Sequence, residues 1–426
     1  MALRIETFDN IRGGNTLYKA LTHPHAAPQG RAIVEALARC GPAAIVDPHG
    51  AAKGFAEIFG LAGVDIAGVY VQDVARIGSN VLGHHALPVT ELAGCAAASI
   101  LITAFDGERL RQQLMPLLPF GGSAFSLDAM RIPDEQLTNR RRYLDPLNFP
   151  TNFAFFRDTG TLHTRLVTAN YWAGYGSPGV TCWLTLFDGD GTAIAEWSEP
   201  CGDGAIVIDS REVRARFGLG DFAGQLFIHV VGAAGHDVVK YALDTFGEPG
   251  IRTDGGLSCT HDANAWPADR YAGLPAPAEG ERVILWIQNS HPTPIPAGTI
   301  ALNPMGEESL APLPDAIGPF ASRAVDVAEL LPGLLWPRQI EVRAGKHVVR
   351  PRYEVVAVRE GHRRIAHVNV ERGDLTPDAE LPRLAERLGK GYLLPAPILP
   401  RGEWESLLLP TPMATSQREL PVAALV

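Results

Sequence analysis

Apolar residues recur at helical spacing over residues 29–40, where Ile33, Val34 and Leu37 form one stripe that Gly41-Pro42 ends. A short apolar run at 43–46 leads into the turn Asp47-Pro48-His49-Gly50. A second helical pattern then sets Phe55, Ile58 and Phe59 on one face up to Gly60. Residues 64–71 read as the next strand, closing on Gln72-Asp73, and 99–104 (SILITA) as a third, too continuously apolar for a half-exposed sheet. Beyond Asp106, Leu110, Leu114, Leu117 and Leu118 line one helix stripe, and 123–127 supplies a further strand. Alternating strands and helices of this kind predict a small doubly wound parallel sheet.

From about Pro150 the pattern changes to short alternating segments separated by Gly, Pro and Asp, which predicts an all-β region. In VTCWLTLF (180–187), Val180, Cys182, Leu184 and Leu186 fall on one face and Thr181, Trp183, Thr185 and Phe187 on the other, as in a strand pressed between two layers. DGDG at 188–191 reads as a hairpin turn. Further strands are expected at 205–209, 224–231 and 237–244.

The order of these segments recurs. LVTANYW (166–172) answers LWIQNSH (285–291), VTCWLTLFDGDG (180–191) answers GTIALNPMGEES (298–309), and AIVIDSREV (205–213) answers RAVDVAELL (323–331). The stretch 222–246 then answers 335–356, pairing Gln225 with Gln339, His236 with His347 and Tyr241 with Tyr353. Repetition on this scale means repeated modules. The chain is therefore read as multidomain α/β plus all-β, a small doubly wound parallel sheet followed by tandem immunoglobulin-like (Ig-like) β-sandwich modules. Its parts are an N-terminal arm (1–28), the α/β domain (29–133), a linker (134–160), module 1 (161–247), a linker (248–280), module 2 (281–372) and a C-terminal linker (373–426). That last stretch holds a short amphipathic helix at 380–388 and closes on ELPVAALV, which reads as the first strand of a further module.

A length of 426 residues suits two to four domains, and 46% hydrophobic with 20% charged residues is an ordinary globular balance. The net charge of -10 argues against a nucleic-acid partner, since phosphate binding needs a basic stripe. The one basic run, Arg140 to Arg142, reads as a solvated triplet or as a pocket for an anion. No signal-peptide pattern opens the chain, and the longest weakly polar stretch, 93–105, is far short of a membrane span. Five scattered cysteines without a CxxC pair suit reduced thiols, so a cytoplasmic location is expected.

The order strand, glycine turn, helix, strand ending in Asp73, a loop with Gly78 and Gly83, then LPVTEL and ILITAF, resembles a small Rossmann-like domain over residues 29–133. Such domains occur in sugar-modifying acetyltransferases, polysaccharide-biosynthesis dehydratases and some sugar methyltransferases. The resemblance implies a nucleotide over the first turn, a dinucleotide such as NAD(P), a nucleotide sugar or an acyl carrier nucleotide, with the acid after the second strand, Asp73, on a ribose hydroxyl. The glycine loop departs from GxGxxG: Asp47 and His49 take the first two glycine places, and Gly50, Ala51, Ala52 and Gly54 remain. A carboxylate at Asp47 would repel phosphate, whereas His49 at the helix N-terminus or Lys53 one turn in would restore some anion affinity. Two readings stay open, a retained nucleotide site at His49, Gly50, Lys53 and Asp73, or a fold that has lost its cofactor and serves as scaffold.

The remaining candidate chemistry is sparse. Cys259, His261 and Asp262 share one loop without the four ligands that structural zinc needs, and His23/His25 and His84/His85 lack a carboxylate cluster, so no metal site is expected. GxSxG, HExxH, P-loop and YxxxK motifs are missing, which removes hydrolase, protease, kinase and ordinary dehydrogenase readings. Tyr171, Trp172 and Tyr175 among glycines read as a stacking platform for a sugar ring, or as core. The expectation is a cytoplasmic binding or accessory protein with a protein partner or carbohydrate-type ligand, in polysaccharide or sugar-nucleotide metabolism. The alternatives are an enzyme acting on a nucleotide sugar or using a nucleotide cofactor, and a structural protein assembling through sandwich edges.

Overall fold

The four strands that the hydrophobic pattern predicts form one parallel sheet, with one helix added in front and a two-residue edge strand, Leu87–Pro88, that the pattern did not show. In the computed structural model, residues 14–117, 122–202, 204–247, 267–349, 351–358 and 363–371 are described, together with the backbone of 258–262 and residues 400 and 402. The first elements are α1 (Gly14–Thr22), α2 (Ala27–Cys40), β1 (Ala43–Val46), α3 (Ala51–Phe59) and β2 (Ile66–Val71). A small hairpin of β3 (Asn80–Val81) and β4 (His84–His85) precedes β5 (Leu87–Pro88), β6 (Ser99–Ile102), α4 (Gly107–Leu114) and β7 (Ser123–Ser126). The sheet runs β5-β2-β1-β6-β7, so the winding reverses between β1 and β6, the switch point of a doubly wound sheet.

Helices on both faces explain the unbroken apolar strands. Ala43 and Ile45 pack with Leu21, Leu37 and Phe55 of α1, α2 and α3, while Ala44 and Val46 pack with Leu110 and Leu114 of α4. Residues 14–22, expected as part of an arm, are thus a helix of this domain, with Tyr18 and Leu21 in its core.

The all-β region opens with β8 (Thr151–Asp158), inside the expected linker 134–160. It continues with β9 (Leu162–Ala169), β10 (Val180–Phe187), β11 (Ala193–Cys201), β12 (Ala205–Asp209), α5 (Ser210–Phe217), β13 (Phe222–Val231), β14 (Tyr241–Gly247) and β15 (Ser258–Asp262). One layer runs β11-β10-β13-β8 and the other holds β9 between β12 and β14 with β15 outside, the two meeting at the corner Asp158–His163. Leu184, Leu226 and Ile228 of the first layer share a core with Leu166, Ile208 and Leu243 of the second. In an immunoglobulin sandwich the first strand pairs with the second and the last with the sixth. Here β8 pairs along its length with β13, and β14 pairs with β9, so the order is a different one.

The second all-β unit begins with β16 (Arg270–Pro275), inside the expected linker 248–280, then β17 (Glu281–Gln288), β18 (Ala301–Pro304), β19 (Ala311–Pro312), β20 (Ser322–Asp326) and α6 (Val327–Leu330). It ends with β21 (Gln339–Arg343), β22 (Arg352–Ala357), β23 (Arg363–His367) and β24 (Asn369–Val370). Its layers run β19-β18-β21-β16-β24 and β20-β17-β22-β23. The expected helix at 380–388 and strand at 420–426 lie outside the described residues.

Register supports most of the internal correspondence. Leu166 lies opposite Ile208 and Leu243, and Leu285 lies opposite Val325 and Tyr353, which matches Ile208 with Val325 and shifts the pairing of 205–213 with 323–331 by one residue. Thr185 faces Phe227 as Asn303 faces Glu341, which sets Gln225 against Gln339. Asp209 accepts the Arg211 N–H and Asp326 the Ala328 N–H, each capping the helix that follows its strand. The Trp172 and His236 rings lie 6.0 Å apart, and so do those of His291 and His347. The pairing of Tyr241 with Tyr353 does not hold, because Leu243 is the residue matching Tyr353.

The three units meet around β13. Ala27, Phe187, Phe227 and Phe320, one or two from each unit, form an apolar cluster. Gln225 Nε2 donates to the carbonyls of Asn289 (2.8 Å) and Phe320 (2.6 Å), and Arg157 pairs with Glu354 at 2.6 Å.

Candidate functional site

The first turn of the α/β domain is filled by its own side chains. Asp47 is fully buried; its Oδ1 accepts the Ala52 N–H at the start of α3 (3.1 Å) and the Thr103 hydroxyl beyond β6 (2.8 Å). Arg76, from the turn after β2, donates Nη2 to Asp47 Oδ2 at 2.6 Å and Nη1 to the Asp47 carbonyl at 2.8 Å. Gly50 takes φ +84°, and a Cβ built there would lie 3.9 Å from that guanidinium. Ligand phosphate in a dinucleotide fold uses the helix N–H groups and the open turn. Here a carboxylate already takes the Ala52 N–H, with an arginine as its counter-charge.

The other residues expected at this site are dispersed. His49 and Lys53 are exposed on α3 and the turn before it. Asp73, expected on a ribose, caps a short helical turn by accepting the Ala75 N–H at 2.9 Å. Arg76 is the residue that sequence reasoning missed. Its signal was weak, a lone arginine three residues past Asp73 in a loop.

The aromatic trio is anchored inward. Trp172 is 1% exposed and its Nε1 donates to the His236 carbonyl at 2.8 Å, so it offers no face to a sugar. Tyr171 stacks on Trp172 (4.2 Å) and on His236 (5.4 Å), and its hydroxyl donates to the Val238 carbonyl and accepts the Lys240 N–H. Burial pushes its phenol well above the usual range. Tyr175 is 61% exposed, yet its ring fills the space above Gly235. The platform reading therefore gives way to a core reading for Tyr171 and Trp172.

A groove of about 600 Å³ opens at the β8–β9 corner, lined by Asp158, Thr159, His163, Arg211, Arg214 and Leu219 among others. Asp158, 1% exposed, accepts from His163 Nδ1 (2.9 Å), the Ser210 hydroxyl (2.8 Å) and Arg214 Nη1 (3.0 Å). Ser210 spends its proton on Asp158 and accepts the Thr164 N–H, so no serine–histidine relay forms. Arg211, 44% exposed, is held by Asp209 and lies over the Phe246 ring at 4.8 Å. The polar groups of the groove wall are thus paired with one another.

The other sequence candidates have settled places. Arg140, Arg141 and Arg142 are exposed, and Asp134, Glu135 and Asp145 in the same segment balance their charge. Residues 258–262 form strand β15 rather than a loop, and the side chains of Cys259, His261 and Asp262 lie outside the described residues. His84 and His85 form β4 of the small hairpin. Among the described residues no cluster of three or more His, Cys, Asp or Glu is arranged to hold a metal, and no helix is long and apolar enough to cross a membrane. No protein-family model matches this sequence, and no curated protein is significantly similar to it.

Proposed function

We propose that this protein is a cytoplasmic binding or accessory protein whose Rossmann-like α/β domain serves as a scaffold and whose β-sandwich modules carry recognition. The observation that carries this reading is the Asp47–Arg76 pair across the first turn, with the α3 N–H group already taken. The groove beside Arg211 and Arg214 is the recognition site, for a carbohydrate-type ligand whose hydroxyl and carboxylate groups meet guanidinium edges and whose apolar face meets Leu219. A place in polysaccharide or sugar-nucleotide metabolism rests on the pattern of residues 29–133 alone. The buried thiols of Cys182 and Cys201 accord with a reducing compartment.

The test is a thermal-shift screen with NAD(P), nucleotide sugars and acyl carriers, beside titration with neutral and uronic-acid oligosaccharides. The expected result is no shift with the nucleotides and a saturable oligosaccharide signal that Arg211→Ala abolishes. A nucleotide shift that Asp73→Ala removes would restore the enzyme reading. Oligosaccharide silence across the panel would remove the groove as a sugar site.

A further inference from the structure

Two histidines at the junction of the three units use all four of their ring nitrogens. The His25 N–H donates to His23 Nδ1 at 3.2 Å, which leaves Nε2 of His23 as the protonated nitrogen. His23 Nε2 lies 2.8 Å from His229 Nδ1, and His229 Nε2 donates to the Gln136 carbonyl at 2.9 Å. The relay thus ties the turn between α1 and α2, through β13, to the segment before β8. Both rings are buried, and the Phe227 ring meets His23 edge to face. A proton added to His229 Nδ1 would face the His23 Nε2–H across 2.8 Å, and one added to His23 Nδ1 would face the His25 backbone N–H across 3.2 Å.

Among the described residues, the charged groups around the relay supply no compensating carboxylate contact to these two rings. Lys19 of α1 is buried and paired with Asp237 at 2.8 Å. His25 meets Gln136 Oε1 through Nδ1, and its Nε2 lies 3.5 Å from Glu196 of β11. Asp134 and Glu135, beside Gln136, are exposed. Burial, then His25 and Lys19, hold His229 down to about 3, and burial with His229 and His25 keeps His23 well below its ordinary range. A further fully buried ring, His291 of the second all-β unit, lies 3.5 Å from the Tyr18 hydroxyl and 6.0 Å from the His347 ring, beside Lys346. Arg31 of α2 donates to the neighbouring Pro292 carbonyl. Burial and then His347 lower His291 to about 3.

We propose that this junction is an acid-released latch: α1 and the turn after it are held on the β-sandwich units by a histidine relay that accepts no further proton, so acidification undocks α1 while both sandwiches stay folded. On opening, His229 regains an ordinary pKa of about 6.5, and its proton uptake favours the open form by about 25-fold between pH 7 and pH 5. His23 and His291 act in the same direction.

The experiment is hydrogen exchange on the full chain from pH 7 to pH 5, corrected for intrinsic rates. Protection of Gly14–Thr22 is expected to fall by at least about 25-fold while that of Glu281–Gln288 holds, and His229→Gln, which still donates and accepts, is expected to remove about 25-fold of the response. Protection of α1 that ignores pH, a parallel loss at Glu281–Gln288, or a full response in the variant would each overturn the latch. Should the variant fail to fold, the histidine ring resonances of the native protein decide. His23 and His229 are expected to titrate only together with loss of α1 protection, and titration near pH 6.5 with α1 still protected overturns the proposal.

Discussion

Arg76 closes over Asp47 with two hydrogen bonds, one to the carboxylate at 2.6 Å and one to the carbonyl at 2.8 Å, so one side chain neutralises a buried acid and covers the turn above it. Removing one partner of a buried pair costs about 3–5 kcal/mol; Arg76 is 25% exposed, so Asp47→Ala is expected at the lower end, roughly 3 kcal/mol. The urea midpoint of the α/β domain is the measurement, and a loss below about 1 kcal/mol would show that the pair does not hold the turn.

How much of this was legible follows from how local each feature is. β1 was read at its observed bounds because a continuous apolar run lies between a Gly-Pro stop and a turn. β8 was not, because TNFAFFRD has no clean alternation and both faces are covered, one by the sandwich core and one by neighbouring units. In β16, Gly273 and Pro275 masked a strand whose register shifts between Tyr271 and Leu274. Helix α1 has nine residues and only Leu17, Tyr18 and Leu21 as a stripe, too few turns to stand out. The site was least legible, since Arg76 and Asp47 are 29 positions apart and Lys19 and Asp237 are 218 apart. No window of sequence contains both partners.

Thiol reactivity separates buried from accessible cysteines. Burial pushes the Cys182 thiol up to about 12, and Cys201 is raised for the same reason, so neither forms thiolate near neutral pH. Cys40 and Cys95 are half-buried. Alkylation at pH 8 followed by peptide mass mapping is expected to label Cys40 and Cys95 in minutes and to spare Cys182 and Cys201 until the protein is unfolded. Rapid native labelling of Cys182 would contradict the packing of β10.

Trp172 and Tyr175 are expected to part company on truncation. Trp172 is core and hydrogen-bonded, so Trp172→Ala should cost about 3–5 kcal/mol, whereas Tyr175→Ala, at an exposed ring, should cost about 1 kcal/mol or less. Thermal unfolding of the two variants checks this. Equal, small losses together with lost oligosaccharide binding would revive the stacking platform.

Glycine 191 shows how the hairpin turn at 188–191 became an interface. Its φ is +85°, and a Cβ there would fall 2.0 Å from the Pro319 carbonyl oxygen, while the neighbouring Gly189 carbonyl accepts the Ser322 N–H at 2.9 Å. Gly218 has φ +63° at the end of α5 with open space around it. An L-residue in the left-handed region costs about 1–2 kcal/mol at either position, but only at Gly191 must backbone also move, adding about 1–3 kcal/mol. Gly191→Ala is therefore expected to lower the unfolding temperature clearly more than Gly218→Ala. The excess should vanish once Pro319 and its loop are no longer docked, so limited proteolysis within 314–321 should accelerate in Gly191→Ala alone. Equal shifts in the two variants would mean that the turn carries only local strain and that the second all-β unit does not rest on it.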